Sequence, residues 1–225
     1  MKQILLVVSA LLMLAEPISA RETIAILGDS YSTFEGFIPP QNAIWYHARP
    51  DRSQTDVDDV MQTWWWRTIN EGGYKLGVND SWSGSTICNT GYGDEDYSDR
   101  SFMSRVTKLG NPDIILIFGG TNDSWCGAAV GEYKYGDFKR GDLYFYRPAL
   151  AKLLDDAKKH YPNVRILFII NSELRPDITE STKKICEHYG IEYIELHDIQ
   201  KQSGHPDQKG MASISEQVLQ ALGRD

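Results

Sequence analysis

The sequence predicts a three-layer α/β fold around a mostly parallel sheet of about five strands. Three observations predict it. Short apolar runs alternate along the chain with stretches of helical periodicity. The runs are continuously apolar, as in strands buried on both faces, whereas a half-exposed sheet would alternate. Several of them end at Gly or Asn, where a strand passes into a loop.

Residues 23–27 form the first run, closed by Gly28, and a weaker strand candidate lies around 74–78. Residues 113–118 form the next strong run, closed by Gly119-Gly120; 164–170 ends at Asn171, and 191–196 is the last. The segments between read as helices. Residues 57–69 carry Trp64, Trp65 and Trp66, of which at least two belong in the core, because a helix does not bury all its sides equally. Pro148 suits a helix start, ahead of a stripe of Leu150, Leu153, Leu154 and Ala157. Asp177 with Glu180 has the spacing of a capping box, followed by Ile178, Thr182, Ile185, Cys186 and Tyr189 on one face. Met211, Ile214, Val218 and Leu222 mark a C-terminal helix. Residues 31–55 and 90–100 read as long loops, which in compact domains are often functional. In an open α/β sheet, ligands bind beyond the carboxyl ends of the strands.

Residues 1–20 are expected to be a signal peptide. Lys2 precedes an apolar run over 4–15, and Ile18-Ser19-Ala20 has the small residues of a cleavage site. The run is shorter than the roughly 20 residues a bilayer requires. Export to the periplasm or the extracellular space is therefore expected, with no integral membrane segment left after removal. No internal repeat or linker divides residues 21–225, so they are expected to form a single domain.

The formal net charge of -8 opposes a phosphate-backbone partner, so nucleic acid is not expected. Cys186 falls in a helical stripe; Cys88 and Cys126 each follow a motif by the same interval, and a disulfide between them is a possibility that geometry decides. The chain has no HExxH, no CxxC and no two histidines on one helical turn, so neither a metal nor another cofactor is expected. No sequence feature sets the oligomeric state.

Four segments carry chemistry. Gly28-Asp29-Ser30 follows the first strand, where a serine hydroxyl can face a cleft; the same residues are also ordinary turn formers. Gly119-Gly120-Thr121-Asn122-Asp123 ends the third, offering an asparagine amide as a neutral donor to an oxyanion, or equally an Asx turn that caps a helix. Ser81-Trp82-Ser83-Gly84-Ser85 brings a second backbone donor at Gly84, or is a plain Gly/Ser loop. Gly204-His205-Pro206 precedes the last helix, a setting that the other four histidines lack.

In this order, Gly28-Asp29-Ser30, Gly84, Gly120-Thr121-Asn122-Asp123 and His205-Pro206 resemble the four blocks of the SGNH hydrolase superfamily, the GDSL-type esterases and lipases, in a secreted bacterial-type form. The resemblance spans nearly all of residues 21–225. It implies a flavodoxin-like α/β/α fold, Ser30 as nucleophile and His205 as its base. It also implies an oxyanion hole made of the Ser30 and Gly84 backbone N–H groups and the Asn122 amide. The chain departs from the family at Gln202, where an aspartate usually stands three residues before the histidine. Gln202, Asp198, Asp207 or a backbone carbonyl is then left to orient the imidazole. An imidazole base predicts a rate limb at roughly pH 6 to 7.

Aromatic residues crowd the loops near these motifs. Trp125, next but two to Asn122, is the first choice for a substrate wall, with Tyr31 and Trp82 beside it. The expected substrate is a small acyl ester of a carbohydrate. A lipid or lysophospholipid ester is the rival within the same chemistry, and a non-catalytic glycan-binding protein on the same fold is the rival outside it. A nucleotide binder is disfavoured, because no phosphate-cradling glycine fingerprint follows the first strand.

Overall fold

The structure, a computed structural model, describes residues 21–224. The signal segment expected over 1–20 lies outside the described residues. Five parallel strands form one sheet in the order β2-β1-β3-β4-β5. They are β1 (Thr23–Gly28), β2 (Lys75–Ser81), β3 (Ile114–Phe118), β4 (Arg165–Ile170) and β5 (Glu192–Glu195). Helices cover both faces: α1 (Trp64–Glu71), α2 (Phe102–Arg105), α3 (Thr121–Trp125), α4 (Tyr146–His160), α5 (Pro176–Tyr189) and α6 (Gln208–Leu222).

The strands are continuously apolar because successive side chains enter different cores. Ala25 and Leu27 of β1 join Ile115 and Ile117 of β3 against Leu150, Leu153 and Leu154 of α4 and Ile178 and Ile185 of α5. Ile24 and Ile26 join Ile114, Leu116 and Phe118 against Trp64 and Trp65 of α1 and Met211, Ile214 and Val218 of α6. Trp64 and Trp65 are fully buried and Trp66 is half-buried, as the helical argument expects. Burying one such side chain contributes roughly 1.5–3 kcal/mol, so the two cores together dominate what holds the three layers.

Several elements depart from the expected bounds. The helix expected over 57–69 is divided: a 3-10 turn spans Val60–Gln62, and Thr63 then caps α1, its hydroxyl accepting from Trp66 N–H. Helix α4 starts at Tyr146, with Pro148 inside its first turn, where no intrahelical N–H bond is lost. Helix α5 starts at Pro176, and the Asp177 carboxylate pairs with Arg175 at 2.6 Å, so the expected capping box is absent. The weak strand is real but longer, Lys75–Ser81; its first half is exposed or half-buried at the sheet edge, which is why its apolar signal is faint. A two-stranded ribbon, β6 (Lys201–Gln202) and β7 (His205–Pro206), leads into α6. At Gly210, in the first turn of α6, a side chain would lie 2.1 Å from the Gln200 carbonyl oxygen, so glycine lets the helix start pack on this ribbon.

Candidate active site

The carboxyl ends of β1, β2 and β3 and the β6–β7 ribbon meet at one place. After β1, the chain turns so tightly that a Cβ at Gly28 would lie 2.6 Å from atoms of Ser32 and Ser81. Asp29 caps the 3-10 turn Ser30–Ser32, its carboxylate accepting from Tyr31 N–H at 3.0 Å. Ser30 is thereby held at the strand end, nearly buried.

After β3, Gly120 adopts a left-handed φ of 94°, and α3 begins at once. Asn122 is buried in its first turn. The Asn122 Nδ2 donates to the Ser85 carbonyl at 2.9 Å, and its Oδ1 accepts from the Tyr92 hydroxyl at 2.8 Å. The neighbouring Asp123 carboxylate accepts from the Ile87 and Cys88 N–H groups at 2.8 and 3.1 Å, tying the segment after β2 to α3. Gly84, at φ 80°, lies in the Trp82–Ser85 turn that these contacts hold.

His205 opens β7 across a two-residue turn, Ser203-Gly204, in which both φ angles are positive (48° and 78°). That is the turn type whose twist suits a tight hairpin. The His205 Nε2 stands 2.9 Å from Ser30 Oγ, and Nδ1 stands 3.2 Å from the Ser203 carbonyl oxygen. A carbonyl only accepts, so Nδ1 carries the proton and Nε2 keeps the lone pair that faces the hydroxyl. The ring is further fixed by Trp45, stacked on it at 3.7 Å between centroids and 11° between planes. Two tyrosines hold the ribbon backbone: Tyr31 Oη donates to the Gly204 carbonyl at 2.6 Å and Tyr46 Oη to the Pro206 carbonyl at 2.8 Å.

Burial is the main cause that pushes His205 down from 6.5 to about 4; the positive charge of Lys201 adds to it, and the hydrogen bond to Ser203 opposes it. Beneath the site lie buried charges. Burial raises Asp29 to about 7 and Asp123 to about 6. The Arg105 guanidinium, lowered to about 10 mainly by burial, donates to the Gly28 and Asp80 carbonyls and to Ser85 Oγ, and so fastens the ends of β1 and β2 and the Gly84 turn together.

The expected residues are thus distributed unevenly. Ser30 and His205 are in contact; Asn122 is buried at the carboxyl end of the neighbouring strand β3, where its amide bonds Ser85 in the Gly84 turn. The three side chains proposed to orient the imidazole are engaged elsewhere. Gln202 donates to the Arg52 carbonyl at 2.9 Å, the exposed Asp198 pairs with His197 at 2.9 Å, and Asp207 caps α6 through Gly210 N–H at 2.8 Å. The Ser203 carbonyl holds Nδ1 instead. Trp125 is 45 % exposed with its ring 5.6 Å from that of His205, a position open to a ligand. Tyr31 is fully buried, so it supports the ribbon and offers no face as a wall, and Trp82 is half-buried in the Gly84 turn. Cys88 and Cys126 are not bonded; their thiols approach the Thr90 and Asp123 carbonyls at 3.6 and 3.8 Å. Among the described residues, no group of three or more His, Cys, Asp or Glu side chains is arranged to hold a metal ion. No helix among them is long and apolar enough to cross a membrane. Sequence reasoning missed the stacking of Trp45, the Tyr92 contact and the Arg105 clamp. The only signal for the first two was the density of aromatic residues in the two long loops.

Comparison with known proteins shows the family and the fold. A family model, GDSL-like Lipase/Acylhydrolase, matches residues 22–222. A candidate GDSL-like lipase from Bacteroides ovatus is 56 % identical, with 91 % of this chain and 99 % of that one covered at a TM-score of 0.89. A second, from Bacteroides uniformis, is 50 % identical over 91 % and 97 % of the two chains, with a TM-score of 0.88. Est24, a carbohydrate acetylesterase from Sinorhizobium meliloti, shares the fold at 14 % identity, 90 % and 99 % coverage and a TM-score of 0.57. Among curated proteins, none matches the sequence.

Proposed function

This chain belongs to the GDSL-like lipase/acylhydrolase family and is a carboxylic ester hydrolase, and from that premise we propose that it is an exported serine esterase that removes small acyl groups from carbohydrates. Ser30 is the nucleophile. His205 Nε2 takes the Ser30 proton as Oγ attacks the ester carbonyl, and the Ser203 carbonyl steadies the imidazolium through Nδ1–H. The Ser30 and Gly84 N–H groups and the Asn122 Nδ2 receive the oxyanion. His205 then returns the proton to the departing alcohol oxygen, leaving an acyl-enzyme. A water molecule attacks that ester with His205 again as base, which releases the acid and restores Ser30.

The observation that carries this reading is the 2.9 Å contact between His205 Nε2 and Ser30 Oγ, with Nδ1 held so that Nε2 is the acceptor. A base that burial keeps at about 4 is neutral and ready at neutral pH. The carbohydrate preference is supported by Trp125, an exposed aromatic face beside the dyad that suits a sugar ring. It is supported also by the acetylesterase among the proteins that share the fold. The leader-like sequence at 1–20 supports export to the periplasm or the extracellular space.

Turnover of p-nitrophenyl acetate, acetylated sugars and long-chain acyl esters tests the proposal. Acetyl esters should be preferred, and Ser30→Ala should lose roughly a thousandfold or more. Preference for long chains would instead favour a lipid ester. A second reading, a glycan-binding protein without turnover, is favoured by one observation: His205 is oriented by a neutral carbonyl and not by a carboxylate. Sugar binding with no turnover in the intact protein would select it.

A further inference from the structure

We propose that Tyr92 is a positioning residue for the oxyanion donor: its hydroxyl locks the Asn122 carboxamide so that one Nδ2–H stays free for the reacting carbonyl and donates to it more strongly. The inference rests on the reading of Asn122 as an oxyanion donor given above.

A carboxamide has one oxygen to accept with and two N–H bonds to donate. In Asn122 the oxygen takes the Tyr92 hydroxyl at 2.8 Å, and one N–H goes to the Ser85 carbonyl at 2.9 Å. The Ser85 carbonyl has no proton to give. Turning the amide over would set two acceptors face to face, so the nitrogen belongs on that side. The second N–H is then the part of the group left for a ligand. Proton donation to an amide oxygen draws electron density toward that oxygen and makes the N–H bonds better donors. Asn122 is only 2 % exposed, and in such a low-dielectric setting this polarisation is weakly screened.

Tyr92 is itself held in place. It opens the 3-10 turn Tyr92–Asp94, which is closed by Gly91 N–H to the Glu95 carbonyl at 2.9 Å. Any side chain at Gly91 would lie 2.4 Å from the Tyr97 ring, so the approach to this turn requires glycine. Partial burial pushes the Tyr92 phenol up to about 12, which keeps its proton in place across the working range. The ring is also 38 % exposed. A wall for substrate would therefore be the competing role, and it makes a different kinetic prediction.

The test is steady-state hydrolysis of p-nitrophenyl acetate by Tyr92→Phe, Asn122→Ala, the double variant and Ser30→Ala, with Tm measured for each. Tyr92→Phe keeps the ring and should lower kcat roughly tenfold with KM within about twofold. In the Asn122→Ala background the same change should have no further effect, because the group it acts through is gone. Wild-type kcat in Tyr92→Phe, a loss confined to KM, or a full independent loss in the double variant would each overturn the inference. Ser30→Ala separates the two failures. If it retains wild-type turnover, the assignment of the site fails and Tyr92 falls with it. If it is inactive and Asn122→Ala lowers kcat while Tyr92→Phe matches wild type, the positioning role alone fails; if Asn122→Ala also matches wild type, the reading of Asn122 as an oxyanion donor fails and Tyr92 falls with it.

Discussion

Trp45 lies flat on His205, with ring centroids 3.7 Å apart and planes 11° from parallel. The two residues are far apart in sequence, and the contact fixes the ring in the plane that joins Ser203 to Ser30. Trp45→Leu retains apolar bulk but loses the flat face. It should lower kcat roughly ten- to a hundredfold, since small misplacements of a reacting group have effects of that order. Tm is the control for folding; an unchanged kcat would show that the Ser203 carbonyl and the ribbon suffice without the stack.

Asn122→Ala removes the side-chain donor and should lower kcat by about a hundredfold. KM should change little, because the interaction is made chiefly in the transition state. A rise in KM at constant kcat would assign Asn122 to substrate binding.

The imidazole predicts a pH profile different from that of a solvated histidine. Burial lowers His205 to about 4, so log kcat/KM should rise with pH through a limb near pH 4 and not near 6 to 7. The stability contribution has a matching sign. The folded state favours the neutral ring, so the stabilisation is complete above the ordinary value of 6.5 and is lost as pH falls from there through about 4. A rate limb centred near 6.5 would show that the ring is solvated during turnover.

Asp29 should act in the opposite direction. Its folded-state value is raised from 3.8 to about 7 by burial. The protonated form is favoured in the fold, and the associated stability is present below 3.8 and lost as pH rises through about 7. Asp29→Asn keeps an oxygen for Tyr31 N–H and carries no charge. Its Tm relative to wild type should therefore improve between pH 4 and pH 8. A difference in Tm that is constant with pH would mean that Asp29 is not shifted.

The sheet was legible where burial on both faces writes a continuous apolar run, as at Ile114–Phe118 and Arg165–Ile170. It was faint at β2, where the edge position leaves Lys75 and Gly77 exposed. Ser30, Asn122 and His205 were legible because each follows a strand or precedes a helix in a short motif. The partner of Nδ1 was not, because a backbone carbonyl has no residue type to read. Gln202, Asp198 and Asp207 have suitable chemistry, but the tight Ser203-Gly204 turn brings the Ser203 carbonyl to Nδ1 while those side chains serve Arg52, His197 and the start of α6. Trp45, Tyr46 and Arg105 act through contacts between distant parts of the chain, which local pattern does not encode.

Activation of the Ser30 hydroxyl by His205 can be read by covalent trapping. The protein is treated with a fluorophosphonate, digested, and its adducts located by mass spectrometry, with His205→Ala treated in parallel. A single adduct on Ser30 is expected, formed quickly in the wild type and at least about a hundredfold more slowly without the imidazole. Labelling at another residue, or equally fast labelling of Ser30 in His205→Ala, would contradict it.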